Sequence, residues 1–462
     1  MILRLALRSL LVHPVRSAVL ACGFGLGVSV MATLLGVGDV ILEQARSPAL
    51  VGSGDLLVTG IAGSLSPARF VLSNVLGAQP FQGRVAAMSP RRRARLFLVH
   101  GTRVLPIVAR GGIPSLERAV GDPETASVSA WTDASPDRAW SAPDPGDVLR
   151  SLDRFHAIPD VPARAGSWAE WLYFNGQAGG ARFYATFLVG PRRPDGRRNA
   201  GVRLQLDRGG RRASYSEGAV VDEAELLRDA PDLAIGKSRV RLRGLRYELR
   251  LDLAQESGHG RVLGTLSLEA APWRSMPPLI IRGAGGWLTG YVVPVMSGAL
   301  GGELAVDGER VSLEGGLGYH DHNWGFWEGV TWRWGQVHHE GLSFVYGRVH
   351  PPADAADPDR VPGFLAALGP EGVLGYSTQL TIDAQNDAER PGRIVVRGKS
   401  SSLDLALDLT VEDVVATRMG RAFFGAGMDF LQLRASYRVT GTVTGRSFDF
   451  TAKGSAETFR GR

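Results

Sequence analysis

Residues 239–243 read Arg-Val-Arg-Leu-Arg and residues 247–253 read Tyr-Glu-Leu-Arg-Leu-Asp-Leu, with Gly244-Leu245-Arg246 between them. Apolar and charged residues alternate strictly in both runs. An extended strand with such a pattern presents one kind of side chain on each face, and no helical period accommodates it. Leu403-Asp404-Leu405-Ala406-Leu407-Asp408-Leu409 repeats the device. Asp307-Gly308 and Thr444-Gly445 fit two-residue hairpin turns, the second lying between Tyr437-Arg438-Val439 and Phe448-Asp449-Phe450. From about residue 166 onward this pattern dominates, broken by short turn-rich segments, so half-buried antiparallel strands are expected. A region of about 300 residues exceeds one small barrel, whereas two barrels or sandwiches of about 150 residues each match the usual domain size. Closure would also remove the sheet edges on which such strands aggregate. The expected fold class is all-β, with two tandem antiparallel barrels over residues 166–325 and 326–462.

Composition agrees with this outline. With 60 Gly and 26 Pro in 462 residues, about one position in five favours turns over helix interiors, which excludes a mostly helical protein. The 44 % hydrophobic and 21 % charged residues can build packed cores. A net charge of +6, from 52 Lys and Arg against 46 Asp and Glu, does not point to nucleic acid. Cys22 is the single cysteine, so neither an internal disulfide framework nor a multi-cysteine metal site can form. The Arg runs at 192–198 and 208–212 are interleaved with Gly, Pro and Asp, as in solvated loop tips.

The first 45 residues have a different character. Ala18 to Gly38 carry no charge, and 21 residues match the roughly 20 that a helix needs to cross a bilayer. Arg4, Arg8 and Arg16 precede this stretch and Asp39 and Glu43 follow it, so the positive-inside rule leaves residues 1–16 in the cytoplasm. A cleaved signal would have a shorter apolar region and a small-residue cleavage motif, and none stands out before Gly52. The expectation is a single-pass anchor over 17–42 in a bacterial inner membrane, with the β domains in the periplasm. Five glycines from Gly23 to Gly38 suit close helix approach, although glycine is also simply common in spanning helices. Residues Leu5 to Gly38, with Gly54-Asp55-Leu56-Leu57-Val58-Thr59-Gly60 and Gly112-Ile113-Pro114-Ser115-Leu116, resemble the first helix and periplasmic start of ABC-exporter permeases related to lipoprotein and macrolide exporters. The resemblance implies a small mixed permease-like segment over 43–120, with an ABC exporter's permease and ATPase subunits as partners. No later stretch could supply the remaining membrane helices. Residues 121–165, rich in Pro, Asp, Ser and Ala, read as a linker.

Chemistry concentrates in the β region. Eight of the ten tryptophans lie between Trp168 and Trp334, and four of the nine histidines within 320–339. The centre is Gly318-Tyr319-His320-Asp321-His322-Asn323-Trp324-Gly325, followed by Trp327, Trp332 and Trp334. On a strand, Tyr319, Asp321 and Asn323 share one face and His320, His322 and Trp324 the other, so one of the two faces must point inward. With the first face inward, desolvation would raise the Asp321 carboxyl and let it donate a proton. With the second inward, two imidazoles could share a metal, joined by His338 or His339. A third reading is a hydrogen-bonded plug at a barrel mouth. In Trp168-Ala169-Glu170-Trp171-Leu172-Tyr173-Phe174-Asn175-Gly176, Trp171, Tyr173 and Asn175 share a face, and Glu170 is the one acid seen nearby that could join Asp321.

These clusters, with Pro272-Trp273, Gly286-Trp287 through Pro294, Gly441-x-Val443-x-Gly445 and Gly454-x-Ala456-Glu457, resemble the carotenoid 1,2-hydratase (hydroxyneurosporene synthase) and AttH-like family over about residues 166–460. The resemblance implies two lipocalin-like barrels holding a long apolar lipid or isoprenoid, with no redox cofactor. It assigns Asp321 as proton donor and Tyr319 as its orienting partner in the hydration of a terminal isoprenoid double bond. The hydratases also use a histidine and a tryptophan shortly before the proline that corresponds to Pro294. Here that stretch reads Gly290-Tyr291-Val292-Val293-Pro294, a departure that bears on hydration and not on fold or apolar binding. Trp171, Tyr173, Tyr291, His320, His322, Asn323, Trp324, Trp332 and Trp334 are the expected ligand contacts, and no metal is expected.

Overall fold

A computed structural model describes residues 84–461 except 102, 123–124, 126–127, 142–143, 272–274, 371, 388–389 and 420–427, together with Pro14, Val15 and Val19. Apart from Val19, the expected anchor lies outside the described residues, as do Gly54–Gly60 and Pro272-Trp273. Among the described residues no helix is long and apolar enough to cross a membrane.

Residues 86–141 belong to one compact unit and residues 142–461 to another. In the first, strands β1 (Arg91–His100) and β2 (Arg103–Gly112) form a hairpin, followed by helices α1 (Pro114–Ala119) and α2 (Ser135–Ser141). Buried Glu117 and Asp122 gather Arg91 and Arg110 into an ion cluster at the base of the hairpin. Toward the tip, Leu96, Phe97, Leu98, Val99, Val104 and Leu105 are exposed.

The second unit begins with helix α3 (Pro145–Leu152), capped by Asp144, whose carboxylate accepts from the Gly146 and Asp147 amides. A first sheet follows: β3 (Trp168–Ala178), β4 (Ala181–Arg192), β5 (Arg198–Arg208), β6 (Arg211–Val221), helix α4 (Glu223–Asp229), β7 (Leu233–Ile235), β8 (Ser238–Arg243), β9 (Arg246–Gln255), β10 (Arg261–Glu269), β11 (Met276–Arg282), β12 (Leu288–Val306), β13 (Glu309–Ser312) and β14 (Gly316–Phe326). Strands β3, β4, β5, β6, β9, β10, β12 and β14 pair in a closed antiparallel ring. The second sheet comprises β15 (Thr331–His339), β16 (Leu342–His350), β17 (Phe364–Gly369), β18 (Gly372–Ser377), β19 (Gln379–Asp387), β20 (Arg390–Lys399), β21 (Leu403–Met419), β22 (Met428–Val443) and β23 (Arg446–Gly461). It runs without interruption from β18 through β15, β23 and β21 to β19, and Ser377 Oγ bridges its two ends by donating to the Lys399 carbonyl and accepting from the Gln379 amide.

The chain is therefore an all-β protein with two barrel-like sheets in tandem. The alternating runs that announced this are strands β8, β9 and β21, and they bury their apolar faces. Both expected hairpins form with two-residue turns in which each residue has positive φ: Asp307 (52°) and Gly308 (88°), Thr444 (48°) and Gly445 (80°). Leu172, Phe174, Phe187 and Leu249 fill the first barrel, and Phe344, Val396, Leu407 and Tyr437 the second. A third, aromatic core drawn from both sheets joins the barrels: Trp168, Tyr173, Tyr291, Tyr319, Trp327, Trp332, Trp334, Phe364 and Phe459.

Candidate functional site

Strand β14 lies between β12 and β3 on the wall that the first barrel turns toward the second, so both of its faces are buried. The expectation that only one face would point inward is corrected. His320 and His322 enter the interior of the first barrel, while Tyr319, Asp321 and Asn323 enter the aromatic layer between barrels. Strand parity sorts β3 in the same way: Asp321 pairs with Tyr173, and His322 with Leu172.

In the layer between barrels, a chain of hydrogen bonds converges on one carboxyl. Trp334 Nε1 donates to Tyr291 Oη at 2.8 Å, the Tyr291 and Tyr319 hydroxyls lie 2.7 Å apart, and Tyr319 donates to Asp321 Oδ2 at 2.9 Å. Asn323 Nδ2 donates to Asp321 Oδ1 at 2.8 Å. Burial pushes the Asp321 carboxyl well above the usual range and the nearby Glu457 carboxylate pushes it further, against the opposing pull of Tyr319, His322 and Asn323. The fold thus favours the protonated acid. Glu457, paired across strands with Trp334 and Gln432, is itself raised by burial to about 7, opposed by Tyr173 and Gln432.

A cavity of about 150 Å³ opens beside this chain. Leu279, Ile280, Ile281, Trp327, Trp332, Val349, Phe364 and Tyr376 supply its apolar walls, and Thr289, Tyr291, Asn323 and Thr378 its polar groups. Ile280, 37 % exposed, marks its contact with solvent. Asp321 and Tyr319 do not line it. They reach it through Asn323 and Tyr291, and a proton can pass outward from Asp321 once the two phenol hydroxyls turn so that the protonated acid donates to Tyr319 and Tyr319 to Tyr291. Of the expected ligand contacts, Tyr291, Asn323 and Trp332 line the cavity. Trp334 lies behind Tyr291, Tyr173 packs against Tyr319 and Trp334, and Trp171 packs on Trp327 at 4.7 Å between ring centroids. Among the described residues, Asn175 Nδ2, Gln336 Oε1 and Gln432 Oε1 of this layer find no hydrogen-bond partner.

His320, His322 and Trp324 occupy a separate cluster inside the first barrel. Asp153, just after α3, takes His320 Nε2 on one oxygen and His322 Nδ1 on the other, both at 2.9 Å, and also accepts from the Tyr247 hydroxyl at 2.7 Å. His320 Nδ1 donates to the Tyr173 carbonyl, and its ring stacks on Phe174. His322 Nε2 meets Glu170 Oε1 at 3.0 Å, and His156 Nδ1 meets the same oxygen at 2.7 Å. Although burial would raise both acids, His320 and His322 hold Asp153 well below the carboxylate range, and His156 and His322 bring Glu170 to about 2. Burial alone would lower His322, but its two carboxylate partners bring it up to about 9.

Three sequence expectations change. Glu170 belongs with His322, and the acid beside Asp321 is Glu457, whose signal was a carboxylate in step with Ser455 and Phe459 on the last strand. His338 bonds Ser343 and His339 stacks on Phe450, so the third imidazole near His320 and His322 is His156. Asp153, which organises the histidines, comes from the Pro-rich stretch read as a linker.

No protein-family model and no curated protein matches the sequence. Among solved structures, the chain is similar at 15 % identity to one described as AttH from Nitrosomonas europaea, with a TM-score of 0.41 over 63 % of this chain and 92 % of that one. It is also similar at 11 % identity to CghA, with a TM-score of 0.42 over 66 % of this chain and 93 % of that one.

Proposed function

We propose that this chain is a lipocalin-like binding protein that takes an apolar molecule, a lipid or isoprenoid, into the cavity between its two barrels. The observation that carries the reading is the pairing of an aromatic wall with Tyr291 and Asn323, two polar groups tied to a buried acid. Binding sites of this kind combine apolar surface with a few orienting polar groups. At about 150 Å³ the cavity matches one that holds benzene, so it would receive one ring or one branched terminus while the rest of the ligand leaves past Ile280. The proposal includes a single-pass anchor over residues 17–42, periplasmic β domains and association with an ABC-type exporter. These parts rest on the sequence alone. Native mass spectrometry of the detergent-purified full chain, followed by lipid extraction, should recover a hydrophobic ligand. A chain that carries none and takes up no polyene or fatty-acyl probe would overturn the reading.

A second reading, favoured by the Asp321–Tyr319–Tyr291 chain, is hydration. A proton leaves Asp321 and adds to the =CH– carbon of a terminal isoprenoid double bond, leaving a tertiary cation on the dimethyl-bearing carbon, which water captures while returning a proton to the carboxylate. Incubation with candidate polyenes in heavy-oxygen water separates the two readings, because hydration incorporates the label and binding does not.

A further inference from the structure

We propose that His156, Glu170 and His322 form a binding site for a divalent first-row transition metal. Their ligand atoms, His156 Nδ1, His322 Nε2 and one Glu170 oxygen, lie within 4.8 Å of one another. Both imidazole nitrogens aim at the same carboxylate oxygen, from 2.7 and 3.0 Å. Ligands of a tetrahedral ion with bonds of about 2.1 Å sit about 3.4 Å apart, so admitting the ion opens the two nitrogen–oxygen distances from 2.7 and 3.0 Å toward that value and draws the two imidazole nitrogens, no more than 4.8 Å apart, toward it as well. Two imidazoles and one carboxylate are the borderline donors that suit Zn²⁺, Co²⁺ or Fe²⁺ better than Mg²⁺ or Ca²⁺.

The surroundings are those that a metal site needs. His322 is fully buried, and its other nitrogen meets the Asp153 carboxylate, the outer partner that fixes the tautomer and orientation of a metal-bound histidine. Asp153 is fixed in turn by Tyr247 and His320. Glu170 is fully buried and is oriented by the His156 amide. His156 is pinned by stacking on Trp324, with ring centroids 4.1 Å apart. Its side chain is 25 % exposed, which gives the ion a route in from solvent and leaves room for water as the remaining ligand. On binding, the ion takes the place of the hydrogens that now bridge Glu170 to the two imidazoles. The protons on His322 Nε2 and His156 Nδ1 both pass to solvent, and the neutral His156 ring then carries its hydrogen on Nε2. The site lies on the first-barrel face of β14, so it stands whether or not a ligand enters between the barrels.

The test is titration of the full chain, stripped with chelator, with Co²⁺. One equivalent should produce the visible absorption of a low-coordinate cobalt centre, Zn²⁺ should displace it, and Zn²⁺ should raise the melting temperature. His156→Ala, at a partly exposed position that leaves the barrel core intact, should weaken Co²⁺ binding about 100-fold or more and abolish the Zn²⁺-dependent thermal shift. Absence of saturable absorption at one equivalent, or absorption unchanged in a folded His156→Ala variant, would overturn the proposal.

Discussion

Trp334 of the second barrel donates its indole N–H to the Tyr291 hydroxyl of the first across 2.8 Å. The hydrogen-bond chain that ends on Asp321 therefore begins on the other sheet, and the acid is set up only when the two barrels are packed together. Trp334→Phe keeps most of the packing and removes the donor. It should lower stability by about 1–2 kcal/mol, read as a shift in the urea midpoint, and should weaken the binding of an apolar probe.

Glu457 gives the fold a pH dependence of definite sign. Its folded value of about 7 lies above its ordinary 4.5, so its contribution to stability is complete below about pH 4.5 and is lost as pH rises through about 7. Melting temperature should fall over that interval in the native chain and fall less in Glu457→Gln. An identical slope in the two proteins would show that the carboxyl is not the titrating group.

His322 acts in a higher window. Raised from 6.5 to about 9, it supports the fold below pH 6.5, and that support disappears as pH rises through about 9. Glu170, lowered to about 2, adds stability above pH 4.5 that is lost as pH falls toward 2. Asp153→Asn removes the carboxylate that His320 and His322 share, leaving His322 with Glu170 alone, and should cost about 3–5 kcal/mol, measured by chemical denaturation at pH 7.

If the chain hydrates an alkene, Asp321→Asn should abolish label incorporation, whereas Tyr291→Phe interrupts the relay and should slow turnover about 10²- to 10⁴-fold with little change in KM. Full activity in either variant would dismiss the relay.

Gly290 is a place where close approach forbids a side chain. A β-carbon there would stand 2.0 Å from the Trp324 ring, so Gly290→Ala must displace that ring from its stack on His156. Lower melting temperature and altered tryptophan fluorescence are the expected results.

Much of this was legible in the sequence because strand parity is local. Alternation identified β8, β9 and β21, the two hairpins followed from their turn residues, and the split of β14 into a Tyr-Asp-Asn face and a His-His-Trp face is as read. Parity along one strand cannot report what covers it, and so the burial of both faces of β14 escaped notice. Asp153, His156 and Glu457 escaped for a related reason. The first two follow a short helix in a Pro-rich stretch, and the third lies 136 positions beyond Asp321, brought back by the pairing of β23 with β15. Glu170 was placed beside the wrong partner although its register was readable, since it stands opposite Trp324 and so keeps step with His322.

The two-sided burial of β14 also sets how the protein can be divided. A chain ending at Phe326 would retain every strand of the first ring and yet leave Tyr319, Asp321 and Asn323 facing water, with Tyr291 deprived of its indole donor. Such a half should expose an adhesive aromatic surface and return Asp321 to an ordinary acidity. The buried acid and the donors that set it are therefore kept only where both barrels are kept together.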